Sequence, residues 1–405
     1  MLTDREVRFV REHLHQDVHG LLLSAHKYPD VDVPKCVVQI EGRRKIKHKI
    51  PEWYACKDIY IPSLQAVEQA SSAEAARYKE RFLKDRGTVV DMTGGLGVDA
   101  YYFAAAGQKV LYAEEDERLC QAARHNFQVL QKSDRIEVVH RSAEALWEEG
   151  HTRPYADLAY ADPSRRGKEG ARIRGLASYR PDVTQLAATV LKHAAAFLVK
   201  IAPMEDITRT LELLPRTTQV HVVSFKNECK ELLFLLEKQE NDTGAPLVVC
   251  SVGFSFYREE EMAAAQALQS SETYGIPKEG DFLYEPDASL LKAGAFALPA
   301  VRFGLEKFHR HSHLYVSDEF VAGFPGKTYR IHQLIPFASS HIKQLAAAFP
   351  SAQMKVRNFP LSVDVWRKKT GIIDGGTDVL FGTTGRKAGK DAKWIIHATL
   401  WEENI

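Results

Sequence analysis

The sequence predicts an α/β fold, with a parallel, helix-covered sheet in the central part of the chain. Short apolar segments alternate there with segments of helical pattern, from residue 88 to residue 199. A glycine-rich turn follows the first apolar segment, and an acidic residue, Glu114, follows the second. Strands that alternate with helices are typical of parallel sheets with helices on their faces. We therefore predict such a sheet, preceded by a helical segment and followed by a mixed α+β region.

Length and composition are those of a soluble globular protein. The chain has 405 residues, enough for two or three domains of ordinary size. Charged residues make up 26% of the chain and hydrophobic residues 45%, which argues against disorder. The formal net charge of +1 gives no general signature of nucleic-acid binding, so any basic surface must be local.

The cysteines and the N-terminus favour a cytoplasmic location. The five cysteines lack the paired spacing of a zinc site, and their odd number argues against a disulfide framework. The charged N-terminus, Met1-Leu2-Thr3-Asp4, lacks the pattern of a signal peptide. Apolar runs such as 194–199 are too short to cross a bilayer. We expect reduced thiols and no membrane role.

The strands of the predicted sheet can be placed by their apolar residues. They cover residues 88–90, 109–112, 135–139, 156–160 and 196–199. Two further strands, 219–225 and 231–237, flank a short turn around Asn227. Strands this close predict a hairpin, which would give the sheet an antiparallel edge.

Helix caps and a linker mark the limits of this region. Ser71 or Ser72 can cap a helix that leads into the sheet, and Glu74 lies three residues after Ser71, as in a capping box. The sequence Lys278-Glu279-Gly280 looks like a linker, so we place a boundary near residue 275. Glycine and proline recur throughout the remainder, which predicts one or two small α+β units.

The most informative motif is the turn in Val89-Val90-Asp91-Met92-Thr93-Gly94-Gly95-Leu96-Gly97-Val98-Asp99-Ala100. Glycines allow the backbone to approach a ligand closely, and the helix that follows directs its N-terminus at an anionic group. Dinucleotide sites use the spacing G-x-G-x-x-G, whereas the glycines here fall at 94, 95 and 97. The spacing therefore weakens the case for NAD.

Glu114 follows the second strand, roughly 20 residues after the turn, where an acid can bind both hydroxyls of a ribose. Alternatively, an acid at this place stabilises the N-terminus of the next helix, a role that suits Glu115 and Asp116 better.

Residues 88–205 resemble the core of class I S-adenosylmethionine-dependent methyltransferases, with a Rossmann-like sheet and the first motif at Asp91–Gly97. The form D-x-T-x-G-L-G-x-D-A is especially similar to that of bacterial ribosomal-RNA guanine-N2 methyltransferases. The resemblance implies that S-adenosyl-L-methionine is the cofactor. It also implies the cofactor-binding residues Gly94, Gly95, Gly97 and Glu114, with Asp91 orienting the loop or the cofactor amine and Thr93 contacting its carboxylate.

The position after the third strand departs from the family. An acid there often binds the adenine amine, whereas this chain has Ser142 at that place and Glu144 two residues later. Either side chain could contact the adenine. Alternatively, Ser142 is an ordinary helix N-cap.

The fourth strand ends in Asp162-Pro163-Ser164-Arg165-Arg166. Family members that methylate exocyclic amines have Asp or Asn, two prolines and an aromatic residue here. A carboxylate and a backbone carbonyl accept the amine hydrogens and so direct the nitrogen lone pair at the methyl group, which is catalysis by positioning. We predict Asp162 and Pro163 as catalytic residues, although Ser164 and Arg165 do not match that pattern.

Uracil-C5 methyltransferases show a similar Asp-Pro-Pro-Arg motif but need a cysteine nucleophile just after the fifth strand. This chain has Val199-Lys200-Ile201-Ala202 there, without a thiol. C5 chemistry would then require Cys229, in the hairpin turn, to enter the pocket.

Basic residues adjoin the predicted catalytic acid. Lys200 either binds a substrate anion or pairs with Asp162. The loop after Asp162 contains Arg165, Arg166, Lys168, Arg172, Arg174 and Arg180. This loop either contacts phosphates or is simply solvated. The predicted substrate-binding residues are Ser164, Arg165, Arg166 and Lys200.

Two further basic stretches, 43–49 and 357–393, predict local positive faces. His309, His311 and His313 would share one face of a strand, which leaves a metal site as an alternative. No carboxylate or cysteine partner is evident in the sequence, so we predict no metal.

The order of parts resembles bacterial methyltransferases that end in a THUMP-like domain, with Tyr284-Glu285-Pro286-Asp287 opening a ferredoxin-like unit. The implied domains are a helical segment (1–80), a methyltransferase domain (81–275), a ferredoxin-like unit (276–325) and a THUMP-like domain (326–405). THUMP domains bind RNA in their better-known relatives. RNA is therefore the predicted partner, and the oligomeric state stays open.

Taken together, these features predict a methyltransferase that modifies a ring or exocyclic nitrogen of an RNA base, with a purine favoured. Two alternatives stay open. One is a non-catalytic RNA-binding or assembly protein that retains a cofactor pocket, which the departures at Ser164 and Arg165 motivate. The other is a small-molecule methyltransferase.

Overall fold

A computed structural model of the chain describes residues 1–147, 156–164, 175–238, 244–271, 274–387 and 390–402. The chain divides into two compact units. The first unit contains Met1–Thr218 and Leu233–Asp242, and the second contains Gln219–Leu232 and Thr243–Ile405. Among the residues just given, no helix is long and apolar enough to cross a membrane.

The first unit begins with six helices, so its N-terminal part is helical as predicted. They are α1 (Asp4–Glu12), α2 (Val18–Leu23), α3 (Val33–Lys49), α4 (Pro51–Ala55), α5 (Leu64–Gln69) and α6 (Ala73–Lys79). Most of these helices begin after a short polar side chain, because its oxygen accepts a hydrogen bond from a backbone N–H group that has no partner within the helix. Thr3 forms a capping box with Glu6, and Ser72 accepts from the Ala75 amide (3.2 Å).

These helices share an apolar core with the glycine-rich turn. Trp53 and Ile61 are fully buried in one cluster with Leu96 and Tyr102. Burying side chains of this size contributes about 1.5–3 kcal/mol each. The Gln39 amide also donates to the backbone oxygen of Ile61 (2.7 Å) and accepts from its amide (2.8 Å). The helical segment is therefore packed as part of the first unit.

The sheet of the first unit confirms the predicted α/β fold. Its strands are β1 (Thr88–Asp91), β2 (Lys109–Glu114), β3 (Ile136–His140), β4 (Ala156–Ala161) and β5 (Ala194–Ile201). They lie in the order β3-β2-β1-β4-β5, and all four pairings are parallel. The intervening helices are α7 (Val98–Ala105), α8 (Glu117–Val129) and α9 (Val183–His193).

The strand order creates a crevice at the carboxyl ends of β1 and β4. The chain proceeds from β1 to β2 and β3 on one side and then returns to β4 on the other. Ligands of open α/β sheets bind at such a switch point. The glycine-rich turn and Asp162 both follow strands at this edge.

The predicted hairpin is present, but its expected place at the sheet edge is wrong. After α10 (Ile207–Leu213), strands β6 (Thr217–Phe225) and β7 (Glu228–Glu237) are joined by Lys226 and Asn227. Both residues have positive φ (52° and 61°), as a type I′ turn requires. The edge is instead extended in the second unit by β8 (Leu247–Cys250), parallel to β6, and β9 (Phe254–Phe256), antiparallel to β8. These short strands carry too little periodicity to be recognised in the sequence.

The second unit continues with a seven-stranded, mostly antiparallel sheet in the order β11-β12-β10-β13-β16-β15-β14. Its elements are α11 (Arg258–Ser271), β10 (Phe282–Pro286), α12 (Ala288–Ala293), α13 (Leu298–Phe303), β11 (Glu306–Lys307), β12 (Tyr315–Ser317), β13 (Gly326–Pro336), α14 (Ser339–Ala348), β14 (Gln353–Arg357), α15 (Val363–Thr370), β15 (Asp378–Lys387) and β16 (Lys390–Leu400). The pairing of β14 with β15 is parallel. This is the α+β region that the sequence predicts.

Both faces of this sheet are apolar. Side chains alternate along β15, so Phe381 packs with Phe308 on one face, and Leu380 packs with Trp366 of α15 on the other. The face with Phe308 also carries Lys355 of β14, whose ammonium lies 5.4 Å from the centroid of the Phe381 ring.

Candidate active site

The glycine-rich turn joins β1 to α7 at the carboxyl edge of the sheet. A Cβ at Gly94 would lie 2.1 Å from the Tyr112 ring, so no larger residue fits there. Gly97 has φ 90°, in the left-handed region, and a Cβ at this residue would lie 2.7 Å from Phe127. The Gly94 amide donates to the Ala113 oxygen (2.9 Å) and so ties the turn to β2.

Asp91 ends β1 and lies buried beneath the turn, with 1% of its surface exposed. Its Oδ1 accepts from the Thr93 amide (3.2 Å), a hydrogen bond that shapes the turn. Burial raises the pKa of Asp91 well above its usual range. Three nearby carboxylates add to that rise: Asp99, Asp162 and Glu114. A cationic ligand at this place would relieve the repulsion.

Glu114 ends β2 and faces the turn. Its Oε2 accepts from the Gly95 amide (2.8 Å), and its Oε1 accepts from the Asp116 amide (2.9 Å). Burial raises the pKa of Glu114, although these hydrogen bonds oppose the rise. A carboxylate oxygen can accept more than one hydrogen bond, so ligand hydroxyls can still bind. Asp116 itself caps α8 by accepting from the Arg118 amide (2.8 Å).

The segment after β3 contains both residues predicted to contact the adenine, Ser142 and Glu144. The Ser142 hydroxyl accepts from the Ala145 amide (3.2 Å), which is the capping arrangement that the sequence left open. Glu144 is exposed. The Ser142 hydroxyl retains its hydrogen as a donor, so either residue stays a candidate for the adenine contact.

Asp162, directly after β4, meets both the turn and β5. Its amide donates to Thr93 Oγ1 (2.7 Å). Its Oδ2 accepts from Lys200 Nζ (2.5 Å), and the two side chains are 30% and 16% exposed. Lys200 thus forms the ion pair that was one of its two predicted roles. Among the described residues, no donor reaches the other carboxylate oxygen, Oδ1, which leaves an acceptor at the crevice.

The rest of the predicted substrate segment is only partly described. Pro163 is buried and Ser164 is exposed. The Ser164 amide donates to the Arg180 oxygen (2.7 Å), and the Arg180 amide donates back (3.1 Å), so the two ends of the basic loop are joined. Arg165 and Arg166, together with the other basic residues of 165–174, lie outside the described residues.

A buried ion pair that the sequence does not indicate supports this site. Lys79, at the end of α6, is fully buried, and its Nζ lies 3.0 Å from Asp99 Oδ1 in the first turn of α7. Asp99 Oδ2 accepts from the Ser71 hydroxyl (2.8 Å) and the Tyr160 hydroxyl (3.0 Å). Tyr160 belongs to β4, two residues before Asp162, so the pair links the helical segment to α7 and β4.

The charge of Asp99 is maintained by these contacts. Burial alone would raise its pKa, but the ammonium groups of Lys79 and Lys200 and the hydrogen bonds lower the pKa of Asp99 below its usual value. One signal for Lys79 was available, because helical spacing places it on the same face as Ala75 and Ala76. Nothing in the sequence indicates that Asp99 is its partner.

Part of the basic stretch 43–49 serves the fold, whereas Lys45, Lys47 and His48 are exposed and stay available for the predicted positive face. Arg43 donates to three backbone oxygens of the loop after α4, and Arg44 donates to two before α2. Lys49 donates to the backbone oxygens of Val67 (2.8 Å) and Glu68 (2.9 Å). Burial, together with the nearby Lys200 ammonium, lowers the pKa of Lys49 to about 8.

The three clustered histidines lie in the connection between β11 and β12, not on a strand as expected. His309 Nδ1 accepts from the His311 amide (3.1 Å), and its Nε2 lies 3.2 Å from Asp391 Oδ1. The His313 ring stacks on Phe296, with 4.1 Å between centroids. In the described parts of the chain, no three His, Cys, Asp or Glu side chains are arranged to hold a metal.

Cys229 lies at the start of β7, and burial raises the pKa of its thiol to about 11. Only the thiolate is nucleophilic, so this thiol is poorly suited to covalent catalysis at neutral pH.

The residues of the crevice fit S-adenosylmethionine. The cofactor combines a cationic amino-acid end with a ribose diol. Asp91 and Glu114 are carboxyl groups whose raised pKa marks a place that favours added positive charge or hydrogen-bond donors. The left-handed turn at Gly97 leads directly into the N-terminus of α7, where backbone amides are available to a carboxylate.

Comparison with known proteins agrees with this architecture. A family model of THUMP domain-like sequences matches residues 326–400, and a model of a ferredoxin-like domain matches residues 282–325. A solved structure of a provisionally assigned methyltransferase from Porphyromonas gingivalis W83 has 30% sequence identity and a TM-score of 0.83. That match covers 99% of this chain and 100% of the other. None of the curated proteins has a matching sequence.

More distant solved structures cover less of the chain. An rRNA methylase from Streptococcus thermophilus has 17% identity and a TM-score of 0.30, with 40% of this chain and 94% of that chain covered. An O-methyltransferase from Bacillus cereus, in complex with SAH, has 14% identity and a TM-score of 0.34, with 48% and 100% covered. Similarity at this level carries no conclusion about this chain. The full-length match and the two domain models show that the chain belongs to the bacterial family of class I S-adenosylmethionine-dependent methyltransferases that end in a THUMP-like domain.

Proposed function

We propose that this protein is a cytoplasmic RNA methyltransferase that transfers the methyl group of S-adenosyl-L-methionine to a ring or exocyclic nitrogen of a base, with a purine favoured. The observation that carries the proposal is the position of Asp162. Its backbone is fixed to Thr93 of the cofactor turn, and its Oδ2 is fixed by Lys200, while Oδ1 has no described donor. This leaves one acceptor for a substrate N–H.

The cofactor-binding residues of the proposal are Asp91, Thr93, Gly94, Gly95, Gly97 and Glu114, with Ser142 or Glu144 at the adenine. The carboxylate of Glu114 accepts hydrogen bonds from the ribose hydroxyls, because its Oε2 already faces the turn through the Gly95 amide and each oxygen can accept a further hydrogen bond. Asp91 shapes the loop through the Thr93 amide, and its carboxyl group ionises when the cationic end of the cofactor binds. The amides at the start of α7 receive the anionic end of the ligand.

The catalytic step requires placement more than acid or base chemistry. When bound, the cofactor supplies an already activated methyl group on a sulfonium. Asp162 Oδ1 and the Pro163 carbonyl accept hydrogens from the substrate nitrogen and so orient its lone pair. Lys200 restricts rotation of the carboxylate, because its ammonium holds Oδ2 at 2.5 Å. Positioning of this kind can supply several kcal/mol of rate acceleration.

Two features support RNA as the substrate. The match to THUMP domain-like sequences covers residues 326–400, and THUMP domains of better-known proteins bind RNA. The segment that leaves Asp162 is basic, and Arg165 and Arg166 are proposed to contact phosphates of the substrate. Arginine is well suited to such contacts because its guanidinium binds phosphate in a bidentate manner.

A second candidate is a non-catalytic RNA-binding or assembly protein that retains the cofactor pocket. The Lys200–Asp162 ion pair favours it, since a committed carboxylate oxygen is a weaker substrate ligand. In that case the cofactor binds but no methyl group is transferred.

The test is transfer of tritium from labelled S-adenosylmethionine into total RNA from a strain that lacks the protein. We expect label in one RNA class with the wild-type protein and none with Asp162→Ala. Lys192→Ala, at an exposed position near the end of α9, is the control and should retain methyl transfer. Cofactor binding by calorimetry without label in any nucleic acid would support the non-catalytic candidate, and label only in metabolite extracts would indicate a small-molecule substrate.

A further inference from the structure

The last turn of α3, in the helical segment of the first unit, lies against the glycine-rich turn. Four buried apolar residues pack there in one cluster: Ile46, Ile50, Leu96 and Val98. Leu96 belongs to the glycine-rich turn, and Val98 begins α7. Lys49 ends α3 and is half-buried. Since the glycine-rich turn lies at the carboxyl edge of the sheet, the helical segment brings a lysine to the edge that carries the crevice.

Two backbone oxygens at the end of α5 hold the ammonium of Lys49. Its Nζ donates to the oxygens of Val67 (2.8 Å) and Glu68 (2.9 Å). Carbonyl oxygens orient a cation but do not neutralise it. Among the described residues, no carboxylate lies within ion-pair distance of Lys49 Nζ, because the Glu68 carboxylate pairs with Lys45 instead. An ammonium has three hydrogens, so one of them stays available for a ligand.

The charge of Lys49 differs from the charges of the lysines beside it, because those lysines pair with acids. Lys200 pairs with Asp162 (2.5 Å), and Lys45 pairs with Glu68. Burial and then the charge of Lys200 lower the pKa of Lys49 to about 8. The Lys45 ammonium adds to that change, and the Glu68 carboxylate opposes it. A bound anion would restore the ordinary pKa of Lys49 and relieve the repulsion between the cations.

We propose that Lys49 binds a phosphate group of the substrate RNA, next to the nucleotide whose base meets Asp162. One phosphodiester carries one negative charge, which matches the one ammonium that has no acid as its partner. The phosphate lies on the side of the catalytic acid, because Lys200, the lysine that acts most strongly on Lys49, is the partner of Asp162. This inference rests on the proposed RNA substrate and makes the helical segment of the first unit a part of the substrate site.

The competing explanation is that Lys49 only caps α5, since basic side chains commonly bind the last carbonyls of a helix. Two variants separate the explanations. Lys49→Gln removes the charge, whereas Lys49→Arg keeps a charge that does not titrate in the neutral range. Loss of a cap lowers the melting temperature but has no reason to change the affinity for RNA or its pH dependence. Loss of a phosphate ligand changes both of these properties.

The experiment measures binding of a fluorescein-labelled oligoadenosine to the full chain by anisotropy, without cofactor, at several salt concentrations and from about pH 7 to about pH 9. At the lower pH we expect Lys49→Gln to weaken binding about fivefold and to reduce the slope of log affinity against log salt by about 1. The wild-type affinity should fall as pH rises above the pKa of Lys49, whereas Lys49→Arg should lack that fall. Lys109→Gln, at an exposed position where β2 begins, is the matched control and should bind as the wild type does.

The outcomes separate this inference from the proposed function. Wild-type affinity, salt slope and pH profile in both Lys49 variants would overturn it and leave a helix cap. If Lys49→Gln instead weakens only the binding of S-adenosylmethionine in calorimetry, Lys49 holds the cofactor carboxylate and the RNA contact is wrong.

Adenosine 5′-monophosphate distinguishes a phosphate of RNA from that of a free nucleotide. If the wild type binds no oligoadenosine, the RNA contact is wrong. A rise in melting temperature with the mononucleotide that Lys49→Gln abolishes would then assign the site to a free nucleotide. Because the oligoadenosine measurement contains no cofactor, a failure of methyl transfer into RNA leaves it unaffected.

Discussion

The turn between β1 and α7 and the segment after β4 form two sides of one crevice, but different contacts hold them. The turn is fixed by its neighbours in β2. Gly94 donates to Ala113, Tyr112 donates to the Gly95 oxygen (2.6 Å), and Glu114 accepts from the Gly95 amide. These partners belong to β2, which follows the turn after a single helix, α7. The cofactor side is therefore specified locally.

The segment after β4 depends on side chains that come from distant parts of the chain. Asp162 is held by Thr93 of the turn and by Lys200 of β5. Two residues earlier, Tyr160 is held by Asp99, which pairs with Lys79 of the helical segment. We infer that substitutions around the glycine-rich turn change cofactor affinity. Substitutions around the segment after β4 change stability or the rate of methyl transfer. The following predictions test that division.

The largest effect is expected from Lys79→Met. Removal of one partner from a buried ion pair leaves an uncompensated charge, here Asp99, and typically costs about 3–5 kcal/mol. We expect the free energy of unfolding in urea to fall by this amount, and Lys79→Met/Asp99→Asn to cost less than the sum of the single changes. Lys84→Met, at an exposed position just after α6, is the matched control. A cost below about 1 kcal/mol would show that the helical segment does not support the site through this pair.

The next effect is on cofactor affinity. Glu114→Ala removes the acceptor for the Gly95 amide and for the proposed ribose hydroxyls. Hydrogen bonds to a charged group contribute about 1.5–3 kcal/mol, so we expect calorimetry to show a loss of about a hundredfold in affinity. Glu115→Ala, one residue later and exposed, should bind as the wild type does. If Glu115→Ala loses affinity and Glu114→Ala does not, Glu114 does not bind the ribose.

Asp91 should make cofactor affinity depend on pH. Its folded-state pKa is raised, so the native state binds a proton more tightly than the unfolded state. The contribution of this group to stability is complete below its unfolded pKa and is lost as pH rises through the folded pKa. A cationic ligand favours the carboxylate, so affinity should increase with pH over the same window. Asp91→Asn should abolish that increase and weaken binding on the order of tenfold at neutral pH.

Stability measurements provide the control for Asp91. In the absence of cofactor, Asp91→Asn should remove the loss of stability with rising pH, because an amide does not titrate. A cofactor affinity that is independent of pH in the wild type would contradict the proposed ionisation of Asp91 on binding.

The same division explains what the sequence could predict. The positions of the first five strands and of the glycine-rich turn follow from local pattern, and the structure has them at those places. The ribose contact of Glu114 stays a prediction. The Lys79–Asp99 pair could not be predicted, because the two residues are 20 positions apart on different helices and only folding brings them together. The short strands β8 and β9 were missed because four and three residues show little periodicity.

The charge pattern of the sequence is a poor guide to which basic residues are available for a ligand. The basic stretch 43–49 predicts a local positive face, but three of its basic residues, Arg43, Arg44 and Lys49, donate to backbone oxygens. A sequence shows how many charges are present but not whether backbone carbonyls already accept from them.

The smallest predicted effect lies where the two sides meet. Thr93 belongs to the turn, but its hydroxyl accepts from the Asp162 amide, so its loss should affect the second side. A neutral hydrogen bond contributes about 1 kcal/mol, and we expect Thr93→Val to reduce kcat for tritium transfer about fivefold. Thr93→Ser retains the hydroxyl and should restore the rate. If Thr93→Val instead weakens cofactor binding and leaves kcat unchanged, Thr93 acts through the turn, and the two sides of the crevice are not separable at this residue.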